Sequence, residues 1–205
     1  MKLREIFFRS RPSIRDIGAL ADFIDEQSAF VAQKGIYEYS RARAGHYAKI
    51  LFAEREFIEA VDCSRWRAYP LGLAMVGELV DGVLHQHAGE NRLQHLESLR
   101  ALVLSVFDRY PTPVTLGHQA WSDARADLER RLQLVGLHPP KRVFEIPAPF
   151  ARAYFNLMPI HPKLRANEFP ALHGYLKATM CNIHEELVDR MDVPVLTTAL
   201  RGVSP

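Results

Sequence analysis

A chain of 205 residues, 48% apolar and 24% charged, has the make-up of one globular domain and can bury about 70% of its unfolded surface. Its formal net charge of +2 gives no overall field for nucleic acid, and Cys63 and Cys181 form neither a disulfide framework nor a Cys-x-x-Cys pair. No stretch approaches the roughly 20 apolar residues of a membrane span, and Ile6-Phe7-Phe8 is too short for an export signal, so a reduced, cytoplasmic protein is expected.

Residues 1–12 read as a basic N-terminal arm, with Lys2, Arg4, Arg9 and Arg11 against Glu5 and with Phe7 and Phe8 to dock it. Ser13 is placed to cap a first helix whose apolar stripe is Ile14, Ile17, Ala21, Ile24, Ser28 and Val31. Lys34-Gly35 either ends or bends it. A second pattern runs from Ile36 through Tyr39, Arg43, Tyr47, Ile50, Phe57 and Val61 to a break at Asp62 to Ser64. Pro70 then marks a kink or a delayed start of a very apolar helix, Leu71 to His87, closed by Gly89.

Glu90 to Tyr110 is again amphipathic, and Pro111 to Gly117 is a loop. Trp121 to Leu137 resumes helical spacing. Arg142 to Ile146 alone looks strand-like, and one strand makes no sheet. Short and long helices follow at about Pro149 to Leu157 and Glu168 to Met191, and residues 193–205 read as a C-terminal tail. The expectation is a single all-α domain, an irregular bundle of six or seven helices.

The densest chemistry lies on the helix from Leu71 to His87. At 100° per residue, Glu78, Asp81 and His85 fall within about a 60° arc. Their neighbours, among them Leu73, Met75, Val76, Leu79, Val80 and Leu84, leave little room for water. A carboxylate buried there costs several kcal/mol unless it is paired, neutralised or ligated. One way to meet that demand is an arginine from a neighbouring helix, such as Arg43, Arg65, Arg67 or Arg125. The other is a ligand or metal site, with Glu78 as base or ligand, Asp81 orienting or ligating and His85 supplying an imidazole. His184 is then the first contributor from a second helix, and His46 the next. Gly72, Gly77 and Gly82 inside the same helix each cost about 1 kcal/mol relative to alanine, which calls for close helix approach or a ligand against the backbone.

Familiar motifs are missing. There is no Glu-x-x-His, no His-Glu-x-x-His, no nucleophile elbow, no haem attachment sequence and no phosphate loop. His85-Gln-His87 lies about 200° apart on a helix, and His173 and His184 are three turns apart, so neither pair holds one ion. The run Ser13-Ile-Arg-Asp-Ile-Gly-Ala-Leu-Ala, with Lys34-Gly-Ile-Tyr-Glu-Tyr after it, resembles the helix-turn-helix of TetR-type repressors. That resemblance implies phosphate or base contacts by Lys34, Tyr37, Tyr39, Arg41 and Arg43. The spacing departs from the pattern, because Asp22 to Gln33 fills the place of a short turn, and no family is assigned. The sequence therefore points first to a helical bundle that binds a protein partner or a small ligand without catalysis, with pairing into a homodimer as a further expectation. The alternative is a metal- or cofactor-dependent enzyme at Glu78, Asp81 and His85, and a DNA-binding regulator comes third. The sequence names no cofactor.

Overall fold

A computed structural model describes residues 12–201, and the expected basic arm lies outside that range apart from Pro12. The described residues form α1 (Ile17–Gln33), a π-helical turn (Lys34–Glu38), α2 (Tyr39–Ala44), α3 (Ala48–Leu51), α4 (Arg55–Ala88), α5 (Arg92–Phe107), α6 (His118–Leu134), α7 (Ala148–Asn156), α8 (Phe169–Arg190) and α9 (Val193–Arg201). Seven of these α-helices have nine residues or more, and the fold is all-α as the sequence implies.

The axis of the bundle is α4, 34 residues and about 50 Å long. It is unbroken through the expected stop at Asp62 to Ser64, because the Ser64 hydroxyl donates back to the Ala60 carbonyl at 2.8 Å instead of capping a new helix. It also runs through Pro70, which has no N–H to give the Trp66 carbonyl. Burial explains the tolerance. Every residue from Ala68 to Asp81 is buried, so packing on all sides fixes the path that one missing hydrogen bond would otherwise loosen. Gly89, at φ 56°, ends the helix in the left-handed region and turns the chain back into α5.

Two helix glycines are explained by crowding. A Cβ on Gly72 would lie 2.8 Å from the Ser28 carbonyl oxygen, so α1 crosses α4 backbone against backbone there. A Cβ on Gly77 would meet Val103 of α5 at 3.2 Å and Leu132 of α6 at 3.3 Å. Gly82 has nothing within 4 Å.

The first helix starts later than the sequence suggests. Asp16 caps it, accepting from the Ala19 N–H at 2.8 Å. Ser13 cannot do so, because Ile14 forms an isolated parallel bridge with Met191. Its N–H donates to the Arg190 carbonyl at 2.8 Å, its carbonyl accepts from Asp192 at 3.0 Å, and the Ser13 hydroxyl also turns to Arg190. At the far end Lys34-Gly35 does not stop the helix but widens it into the π-turn. The buried Tyr154 hydroxyl donates to the Val31 carbonyl at 2.6 Å and occupies the place where a Gly35 side chain would be.

Two expectations for later segments fail. The segment from Arg142 to Ile146 contains a 3-10 turn, Val143–Glu145, in which the Glu145 carboxylate accepts from the Arg142 N–H at 3.2 Å. With no partner strand its backbone bonds close locally. The supposed tail from Val193 is α9 as far as Arg201. Leu196 and Leu200, four apart and fully buried, close the core, and Thr197 donates back to the Val193 carbonyl at 2.8 Å.

Candidate functional site

The acidic arc of α4 is buried as its neighbours require, with Glu78 only 6% and Asp81 3% exposed. Its partners are not the four arginines offered by the sequence. Arg92 at the start of α5 grips Asp81 in a two-armed fork, with Nη2 2.7 Å from Oδ2. The reversal at Gly89 puts Arg92 eleven residues on but back beside Asp81. Lys141, from the irregular segment after α6, places Nζ 2.7 Å from Glu78 Oε1, and His138 Nε2 lies 3.8 Å from the same atom. The Lys141 contact is an ion pair off the line of a hydrogen bond. Arg125 instead forks onto Asp108, and Arg43 pairs with Glu168 at 2.8 Å.

His85 is half-buried, and its Nδ1 is shut from solvent without a hydrogen bond. His184 is half-buried on α8 and His46 is exposed beside Tyr47. Among the described residues no three His, Cys, Asp or Glu side chains are arranged to hold a metal ion. The loop histidines have separate partners: His118 with Thr112, His138 with Glu78 and the Pro139 carbonyl, His161 with the Lys163 N–H. The arc is thus occupied by two cations, and each buried charge is compensated from within the chain.

The helix-turn-helix resemblance fails on the same inspection. Helix α1 is continuous through Asp22 to Gln33, where the turn should be. Tyr39 and Arg43 are both committed to Glu168, and Arg43 also donates to the Leu164 carbonyl at 2.7 Å. No helix among the described residues is long and apolar enough to cross a membrane.

A different set of residues forms a recess between α1 and α4. Ala29, Ala32 and Gln33 of α1, Arg65, Trp66 and Tyr69 of α4, and Tyr110 just past α5 line a pocket of about 170 Å³. Spacings of three and four residues bring each group to one face of its helix. The small alanines leave the volume that the rings surround. Trp66 meets Tyr69 at 6.2 Å and 78°, and Tyr110 at 5.4 Å and 63°, while Tyr69 and Tyr110 meet at 5.3 Å and 76°. Behind Trp66 lies Trp121 at 5.8 Å, itself stacked on Phe107 at 4.2 Å. The edge-to-face contacts among Trp66, Tyr69, Tyr110 and Trp121 set ring edges against ring faces.

One carboxylate fixes the tyrosines. Asp25 accepts from the Tyr69 hydroxyl at 2.7 Å and from Tyr110 at 2.9 Å. Arg109 lies 3.5 Å from its other oxygen and 2.8 Å from Asp22. Burial, and next the bond to Asp25, pushes both phenols above their ordinary range. Both hydroxyls therefore stay protonated and spend their hydrogens on Asp25. At the pocket's edge Arg65 is loosely held. Its Nη2 donates to Gln33 at 3.2 Å, Asp62 is 3.7 Å away, and its Nε, closed to solvent, makes no hydrogen bond.

Sequence reasoning missed this pocket although its parts were legible. Asp25, Ala29, Ala32 and Gln33 recur at helical spacing, as do Arg65, Trp66 and Tyr69. What no spacing reveals is that the two faces meet and that Tyr110, 41 positions after Tyr69, shares the same carboxylate. Comparison with protein-family models, with curated proteins and with solved structures finds no match for this chain.

Proposed function

We propose that this protein acts by binding, and that its ligand is a small ring-bearing molecule held in the pocket between α1 and α4. The observation that carries this reading is the aromatic wall itself. Trp66, Tyr69 and Tyr110 surround a volume of about 170 Å³, with both tyrosines locked by a shared carboxylate. A cavity near 150 Å³ accommodates one benzene ring. Preset ring walls hold such a group with little loss of side-chain freedom on binding.

The way the polar groups are used supports a reading of binding without chemistry. The two phenols are held protonated against Asp25, and Glu78 and Asp81 are engaged by Lys141 and Arg92. Neither set presents a base poised beside a nucleophile. Ligand-detected NMR of the purified chain with phenol, benzamide and benzoate tests the reading. Saturation transfer to at least one of them is expected, and it should vanish in Ala29→Phe, which fills the pocket from α1. Absence of transfer to all three, or transfer that survives Ala29→Phe, overturns it.

A further inference from the structure

The pocket offers more than ring faces. Arg65 lines it together with Trp66, the next residue on α4. A guanidinium carries five N–H donors and no acceptor. In this structure Arg65 gives one of them to a neutral amide, Gln33 Oε1, and its carboxylate neighbour Asp62 stands at 3.7 Å, beyond hydrogen-bond reach. Its buried Nε has no partner. That atom faces the protein, but the side chain as a whole is 37% exposed, and a charged acceptor is the strongest partner its terminal N–H donors can take.

Two carboxylates stand nearby, and each has other partners of its own. Asp25, behind the tyrosines, already receives two phenol hydrogens and stands beside Arg109. Asp62 turns its second oxygen to Thr115, which donates to it at 3.2 Å. The pocket thus joins a wall of aromatic rings to one planar cation, whose contact with Asp62 at 3.7 Å is a long ion pair.

Resting on the binding role proposed above, we infer that the ligand is a small aromatic carboxylate, its ring against Trp66, Tyr69 and Tyr110 and its carboxylate on the Arg65 guanidinium. The planar fork of arginine matches the two oxygens of a carboxylate, which lysine does not.

The test sets benzoate against benzamide, which has the same shape without the charge. Both are titrated into the full chain, followed by tryptophan fluorescence and ligand-detected NMR. Benzoate should bind at least about 10-fold more tightly, the value of one charge-assisted hydrogen bond. Arg65→Gln should bring benzoate down to about the level of benzamide and affect benzamide, which carries no charge, much less. Arg65→Lys should fall between, since it keeps the charge and loses the fork. Equal affinity for both compounds in the wild-type chain overturns the carboxylate assignment and leaves the ring pocket standing. Failure of both to bind overturns the pocket itself. Benzoate binding that persists in Ala29→Phe places the anion elsewhere and overturns both readings. The wild-type comparison decides the carboxylate question even where a variant fails to fold.

Discussion

The same substitution at two positions of α4 should have opposite signs. Gly72→Ala and Gly82→Ala both sit inside the 34-residue helix, so each gains about 1 kcal/mol of intrinsic helix stability. Gly82 has no atom within 4 Å of the added methyl, and this gain should appear whole. At Gly72 the methyl arrives 2.8 Å from the Ser28 carbonyl oxygen and 3.3 Å from its Cα. Those are backbone atoms of a fully buried residue, so no side chain can swing aside. Helix α1 must retreat by about half an ångström, and a gap of that size forfeits roughly a quarter of the dispersion energy of each contact it opens. Overpacking of this kind costs about 1–3 kcal/mol. The intrinsic gain is common to both variants and cancels in their difference, which isolates the crossing of α1 over α4. Urea denaturation should therefore find Gly82→Ala more stable than wild type by about 0.5–1 kcal/mol, and more stable than Gly72→Ala by about 1–3 kcal/mol. Thermal melting should separate the two variants by several degrees in the same order. Equal shifts for the two, or greater stability for Gly72→Ala, would refute the claim that backbone contact explains the glycine.

Other expectations follow from the same contacts. Asp81→Asn strands the Arg92 guanidinium, which is 21% exposed, and should cost about 2–4 kcal/mol. Glu78→Gln should cost only about 1 kcal/mol, since Lys141 is 29% exposed and can swing into water. Denaturation midpoints that rank the two the other way would show that exposure of the cation does not set the penalty. Gly35→Ala drives a methyl into the Tyr154 hydroxyl and should destabilise by about 2–4 kcal/mol, through overpacking and loss of the bond to Val31. On a Tyr154→Phe background the same change should be markedly milder, and strict additivity in that double-mutant cycle would contradict the contact. His173 provides a pH test. Burial first, then Lys177, holds its imidazole below 6.5, so the fold keeps it neutral while the unfolded chain binds the proton. Its contribution is complete above pH 6.5 and is lost on acidification until the folded-state value is passed. Replacing it with Phe should reduce the fall in stability between pH 7 and 5, and an unchanged slope would show that this group does not supply it.

The sequence marked the buried arc correctly and could not name its partners. Apolar residues on all sides of Glu78 and Asp81 made burial inescapable, and burial made compensation inescapable. Which cation compensates depended on the reversal at Gly89, which returns Arg92 to Asp81, and on an irregular segment that carries Lys141 across to Glu78. The glycines divided in the same way. Their presence demanded an explanation, but Gly72 and Gly77 meet neighbouring helices and Gly82 meets nothing. Helix ends set by long-range contacts were equally hidden. Ser13 is an acceptable cap by residue type, yet the bridge between Ile14 and Met191 claims it, and the segment from Val193 becomes helical because Leu196 and Leu200 find the core.

Periodicity along the chain thus determined the helical class and which faces turn inward, because each helix must bury a stripe wherever its partner lies. The tertiary structure alone decided the pairing of those faces. Pairing is a matter of contacts between residues far apart in sequence, and no local pattern records that Asp25 would receive Tyr69 and Tyr110 and so wall a pocket with rings.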